Sequence, residues 1–123
     1  MVVRTLYDRV GGDGFFFSLV DRFYDAVQDD PVLRPLYPSD LAPSRRHLAL
    51  FLIQYWGGPR TYDEERGQPR LRLRHAPHRI DAAARDAWLE HMRAAVDSMG
   101  LAPMDRESLW SYLSAAANQL TNA

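Results

Sequence analysis

Asp13-Gly-Phe-Phe-Phe-Ser-Leu-Val-Asp-Arg-Phe-Tyr-Asp-Ala-Val-Gln28 decides the fold class. Phe16, Leu19, Val20, Phe23 and Val27 recur at i, i+3, i+4 and i+7, the spacing of one helical face. Phe17 and Tyr24 lie seven apart and flank that face. Asp13, placed after the helix-breaking pair Gly11-Gly12, reads as the N-cap of a helix over 13–28. Before the glycines, residues 5–10 read as a short first helix. After Gln28, Asp30-Pro31 is a cap followed by a first-turn proline, which predicts a short helix over 31–36 that Pro35 and Pro38 curtail.

The same period continues downstream. Ser44, Leu48, Phe51, Leu52 and Tyr55 form the inward stripe of a helix over 43–56, which Gly57-Gly58-Pro59 stops. Residues 59–70 are rich in Gly, Pro and charge and read as a loop. One helical turn fits 71–75. Asp81 caps a helix running to Met99, with Ala84, Trp88, His91, Met92, Ala95 and Met99 on one face and Gly100 behind it. Asp105 caps the last helix, with Leu109, Leu113, Ala116, Ala117 and Leu120 as its stripe. No paired alternating strands occur. The expectation is an all-α single domain over 1–123, with four long helices and three short pieces.

Composition narrows the chemistry. The chain has 123 residues, no cysteine and no lysine, since all 15 basic residues are arginine. Disulfides, iron–sulfur clusters, thiolate zinc sites and covalent haem attachment through thioethers are excluded, as are Schiff-base and phosphate-loop lysines. A net charge of −1 does not favour nucleic acid or an acidic membrane. No apolar run approaches the roughly 20 residues that span a bilayer, and no signal-peptide core is evident. The expected location is the cytoplasm, with no nucleic-acid and no membrane partner.

Of the four histidines, His75 has the most unusual context, at the end of Arg70-Leu-Arg-Leu-Arg-His75 and before Ala76-Pro77. Neighbouring arginines oppose protonation, so His75 is an odd general base. It is a sensible neutral ligand to a dianionic cofactor whose carboxylates the arginines pair. The alternative is a solvated basic loop with an incidental histidine. A zinc site from His75 and His78 is disfavoured by Pro77 and by the lack of a carboxylate at a matching offset. His47 reads as solvated or as part of a pocket rim. His91, one turn after Trp88, reads as a buried, hydrogen-bonded packing residue. An RNA-binding reading of the arginine tract lacks interleaved aromatics. There is no serine–histidine–acid arrangement with nucleophile-elbow glycines. Asp63-Glu64-Glu65 reads as a solvated acidic turn. Tyr24, Tyr37 and Trp88 each carry a donor that needs a partner when buried. Local carbonyls can take them, or all three can converge on one small polar ligand.

Several segments together resemble the truncated haemoglobins of group II. They are Leu6-Tyr-Asp-Arg-Val-Gly-Gly12, Arg22-Phe-Tyr24, Leu36-Tyr37-Pro38, Gln54-Tyr-Trp-Gly-Gly-Pro-Arg-Thr-Tyr62, Arg66-Gly, Pro69-Arg-Leu-Arg72, Arg74-His-Ala-Pro77 and Asp86-Ala-Trp88-Leu. The Tyr-Trp-Gly-Gly-Pro and Arg-His-Ala-Pro segments, in this order and spacing, are the specific ones. The resemblance covers nearly the whole chain. It implies a two-over-two helical sandwich around one non-covalent haem b. By the same resemblance His75 is the proximal ligand and Tyr24, Tyr37 and Trp88 are the distal donors. Ser44 and Leu48 face the ligand, Phe51 packs on the haem, and Leu73 and Ile80 form proximal wall. Arg66 and Arg74, with Tyr62, are the residues expected to read the propionates. His75 is expected to donate its other ring proton to a backbone carbonyl, that of Leu71. Two positions depart from the family pattern. His47 replaces a common propionate-pairing arginine, which weakens that contact or makes it pH-dependent. His78 replaces a common phenylalanine and adds a titratable group near the proximal face.

The expected function is reversible binding of dioxygen and other diatomics, carbon monoxide and nitric oxide among them, for oxygen transport or redox chemistry. The alternatives are a haem-dependent peroxidase or nitric-oxide-detoxifying enzyme, and a haem-free arginine-rich module that binds RNA or protein. An unidentified reductase is an expected partner of the haem protein. A homodimer is left open.

Overall fold

The computed structural model describes residues 4–123, and every regular element among them is helical. Helix α1 (Leu6–Val10) opens on Thr5, whose hydroxyl accepts from the Asp8 amide while Asp8 caps Thr5 in return. Gly11 (φ 101°) and Gly12 (φ 81°) make the left-handed turn into α2 (Asp13–Val27). Gly12, not Asp13, is the cap of α2. The Asp13 carboxylate instead accepts from the Tyr7 hydroxyl at 2.7 Å, tying α1 to α2.

The segment after α2 forms a 3-10 turn, Arg34–Leu36, rather than a helix over 31–36. Helix α3 (Ala42–Tyr55) ends at the Gly57-Gly58 turn, where the Tyr7 amide donates to the Trp56 carbonyl at 3.1 Å. A Cβ on Gly58 would lie 2.7 Å from the Tyr7 ring and from Ile53, so the helix end sits directly against α1.

The expected loop over 59–70 contains a helix, α4 (Thr61–Arg66). Asp63 and Glu64 lie in its first turn and Arg66 in its last, which matches the helix dipole at both ends. Tyr62, only 3% exposed, anchors it to the core. Helix α5 (Leu71–His75) is the expected single turn, and it follows Arg70 in left-handed conformation at φ 44°. Helix α6 (Ala82–Asp97) is capped by Asp81, whose carboxylate accepts from Ala84 N at 2.9 Å, and it ends two residues short of Met99. Helix α7 (Pro103–Leu120) begins after Ala102. Asp105 therefore lies inside its first turn and pairs with Arg9 at 2.9 Å instead of capping.

The pair α2–α3 packs on the pair α6–α7 through α2 and α6. Phe16, Leu19 and Phe23 of α2, Met92 of α6 and Leu109 of α7 are fully excluded from water. Each such side chain contributes roughly 1.5–3 kcal/mol of burial, and these residues hold the sandwich together. Tyr55 departs from the expected inward stripe. It is 51% exposed and stacks on Tyr112 with ring centroids 3.9 Å apart. Among the described residues no helix is long and apolar enough to cross a membrane.

Candidate haem site

Between the two helix pairs lies a cavity of about 400 Å³. Tyr24 reaches it from α2, and Ser44, His47, Leu48 and Phe51 from α3. Tyr62 and Arg66 come from α4, and Arg74 and His75 from α5. Tyr37, His78 and Ile80 enter from loops, and Trp88 from α6. Leu73 is the exception among the expected residues. It is 68% exposed and lies outside the lining, while Leu71, two residues earlier, takes the place expected of it. His91 is also outside the lining. It is only partly buried, and its Nε2 lies 2.5 Å from Asp30.

At one wall the His75 ring Nδ1 lies 2.7 Å from the Leu71 carbonyl, one turn back, as the sequence led us to expect. A carbonyl only accepts, so Nδ1 carries a proton, and in the neutral ring the lone pair is then on Nε2. The backbone around His75 is held by Asn122. Its Nδ2 donates to the His78 carbonyl at 2.8 Å and to the His75 carbonyl at 3.4 Å, and its Oδ1 accepts from Ile80 N at 2.8 Å. Sequence reasoning gave Asn122 no role, since an asparagine near a helix end has no periodicity to mark it.

The aromatic donors gather on another part of the lining. Tyr24 and Tyr37 meet edge to face with centroids 5.4 Å apart, and Trp88 lies against Phe23 at 5.3 Å. Burial pushes the Tyr37 hydroxyl up to about 12, while the neighbouring Tyr24 and Trp88 side chains pull the other way. Tyr24 is raised further still, first by burial and then by Tyr37. Both phenols therefore stay protonated. The Arg45 guanidinium sits 5.7 Å from the Tyr24 ring centre, held there by Asp21 and Asp25 at 3.1 and 3.0 Å.

The cationic rim is partly committed to the protein itself. Arg74 donates to the carbonyls of Pro69 and Arg66 at 2.7 and 2.9 Å. Arg66 lies 2.5 Å from His47 Nδ1. Arginine only donates, so His47 accepts and is neutral there. Burial, then the Arg66 charge, lowers the His47 pKa. Beside them Arg46 and Glu65 pair at 2.5 Å, a further tie between α3 and α4.

The wall that sequence reasoning missed belongs to α7: Tyr112, Leu113, Ala116, Ala117 and Leu120. Leu113, Ala116, Ala117 and Leu120 belong to the stripe expected of this helix. Two adjacent alanines on an inward face were the available signal, because small side chains there leave room for a bound group.

The donor set suits an iron already held by a macrocycle. One imidazole offers a lone pair, and no cluster of three or more metal-ligating side chains exists among the described residues. The walls are mainly apolar, with Arg66, Arg74 and His47 at the lining for acidic substituents.

Residues 5–122 match the family model described as bacterial-like globin. The "Group 2 truncated hemoglobin YjbI" of Bacillus subtilis is 43% identical over 111 residues, covering 90% of this chain and 84% of that protein. The crystal structure of a thermostable haemoglobin from Thermobifida fusca superposes with a TM-score of 0.95 at 55% identity, covering 98% of each chain. A "truncated oxygen-avid haemoglobin" from Bacillus subtilis superposes at 0.91 with 41% identity, covering 97% of this chain and 100% of that one. A two-pair helical sandwich, one histidine held by a backbone carbonyl in an apolar cavity and these likenesses over nearly the full length lead to one assignment: the chain belongs to the bacterial-like globin family, as a group II truncated haemoglobin that holds haem b and binds diatomic ligands.

Proposed function

We propose that this chain binds dioxygen reversibly, along with carbon monoxide and nitric oxide, with His75 as the only protein ligand to iron and Tyr24, Tyr37 and Trp88 as donors to the ligand. The observation that carries this is the shared cavity: His75, with Nδ1 tied to Leu71, and all three donors line it together. Ferrous haem, when bound, supplies the diatomic-binding centre. The chain supplies the surroundings. The Leu71 carbonyl keeps the proton on Nδ1, so Nε2 of His75 is available to the metal. The Tyr24 and Tyr37 rings meet edge to face and Trp88 lines the same cavity, so each of the three has one proton to donate there. Donors preset in a site with few waters stabilise negative charge that develops on a ligand. Ser44 and Leu48 line the cavity from α3, Phe51 packs there, and Ile80 and His78 belong to the His75 side. Arg66, with His47 behind it and Tyr62 nearby, is the propionate contact. Arg74 shapes the rim through backbone carbonyls.

Three donors around one ligand slow its release. That favours redox chemistry, such as peroxide reduction or nitric oxide oxidation with an external reductase, over rapid delivery of oxygen. The avidity named for the Bacillus subtilis structure points the same way.

The test of the iron ligand is haem retention. His75→Ala is expected to lose most bound haem or to show an altered ferrous spectrum. His47→Ala, His78→Ala and His91→Ala are each expected to keep one haem per chain. A His75→Ala protein with a wild-type ferrous spectrum would overturn the assignment.

A further inference from the structure

Asp30 stands outside the cavity, yet both of its carboxylate oxygens are engaged. Oδ1 accepts from the backbone N–H of Val32 at 2.7 Å and of Leu33 at 3.1 Å. Oδ2 lies 2.5 Å from Nε2 of His91 on α6. The two side chains are sheltered, with 14% and 23% of their surface exposed. The imidazole donor and the two amides hold the Asp30 carboxyl below the usual carboxylate range. Either the imidazolium or the neutral ring with its proton on Nε2 can make this contact, so it does not require His91 to carry charge.

What the contact joins gives it a role. Residues 30–39 form a self-braced unit. Arg34 N donates to the Asp30 carbonyl at 2.9 Å and Tyr37 N to the Arg34 carbonyl at 3.2 Å. The Arg34 guanidinium ties down the carbonyls of Pro38 and Ser39 at 2.9 and 2.8 Å. This unit carries Leu33, Leu36 and Tyr37 to the cavity. Setting aside the Tyr37 hydroxyl, Asp30–His91 is the only hydrogen bond among the described residues that joins the unit to α6. On α6, His91 follows Trp88 by three residues and so lies one turn along the same face. The contact therefore spans the two elements that present Tyr37 and Trp88.

We propose that Asp30 and His91 are positioning residues, a latch that holds the Tyr37 segment against α6 so that Tyr37 and Trp88 face one ligand. The proposal rests on the donor-cluster reading above. Hydrogen bonds weaken steeply with distance and misalignment, so a segment released at Asp30 loses donor strength at Tyr37 without losing the hydroxyl.

The experiment uses haem-loaded protein and follows oxygen and carbon monoxide release by stopped flow, with the C–O stretch of the carbonmonoxy form as the spectroscopic readout. His91→Phe removes the donor and keeps bulk. Asp30→Asn keeps an oxygen for Val32 and Leu33 but loses the carboxylate. His91→Gln restores an amide donor. We expect His91→Phe and Asp30→Asn to speed oxygen release about 3- to 10-fold, with carbon monoxide release within twofold and a shifted or split C–O band. His91→Gln should return oxygen release to within twofold of wild type. On a Trp88→Phe background, His91→Phe should add less than twofold, because neighbours in one network are non-additive. Oxygen release unchanged in both His91→Phe and Asp30→Asn overturns the latch. So do equal effects on the two gases, or a full effect that persists without Trp88. If His91→Phe does not take up haem, Asp30→Asn and His91→Gln decide the matter by the same criteria. If Trp88→Phe alone changes nothing, the donor cluster fails and the latch with it. If Trp88→Phe speeds release while the latch variants do not, the latch alone fails.

Discussion

Trp88→Phe removes one hydrogen-bond donor from the cavity and leaves an aromatic ring in its place. The indole N–H is the only donor Trp88 carries, so its contribution to the ligand disappears whole. A hydrogen bond to a partly charged acceptor contributes roughly 1.5–3 kcal/mol. At about 1.4 kcal/mol per tenfold, oxygen release should quicken by about 10- to 100-fold. Phenylalanine is smaller than tryptophan, so the ring packed at 5.3 Å from Phe23 also loses bulk and part of any change is steric. Carbon monoxide separates the two causes, because it carries little charge when bound. Stopped-flow release of both gases is the assay. Donor loss predicts a large change for oxygen and a small one for carbon monoxide, whereas a lost steric gate speeds entry of both. Oxygen release within twofold of wild type, from a wild-type protein that already releases quickly, would refute the donor argument and make an oxygen carrier the better reading. Slow wild-type release, with peroxide turnover that falls in Trp88→Phe or Tyr24→Phe, would support the redox reading.

Further outcomes follow from the geometry. His47 has its folded pKa lowered below 6.5, so the unfolded chain binds the proton more tightly. Stability should therefore rise with pH through the window below 6.5 and be lost as pH falls through it; chemical denaturation between pH 5 and 7 measures this, and His47→Gln should flatten the profile. Asn122→Ala removes the hydrogen bonds that hold residues 75–80. Because those groups are exposed, the stability loss should be only on the order of 1 kcal/mol, but haem transfer to an acceptor globin should quicken. Gly58→Ala forces a Cβ to within 2.7 Å of the Tyr7 ring and the Ile53 branch, so urea unfolding should show about 1–3 kcal/mol of destabilisation.

The long helices were legible because each buries one face, and burial writes a 3.6-residue period into the sequence. α4 was not, because six charge-rich residues between Gly and Pro carry no period. It forms because its charges suit its dipole and because Tyr62 is pulled into the core. Its neighbour α5 shows the limit of a one-turn helix. Leu71 and Leu73 are equally apolar in sequence, and only packing against α7 decides that Leu71 meets the cavity. His75 stood out through its neighbours and the family resemblance. The α7 wall did not, since Leu and Ala on an inward face read the same whether they touch other side chains or a prosthetic group. Asp30 and His91 are 61 residues apart, a pairing that no local pattern encodes.

Asn122 lies 44 residues beyond the carbonyl of His78 that it holds, and α7 follows the other helices of the described residues in chain order. During translation the histidine and all three aromatic donors emerge before the α7 wall of the cavity and before the amide that pins the loop after His75. A nascent chain at that stage presents an open trough, not a chamber. Haem acquired then would lack the α7 wall and the Asn122 brace on the loop that follows His75.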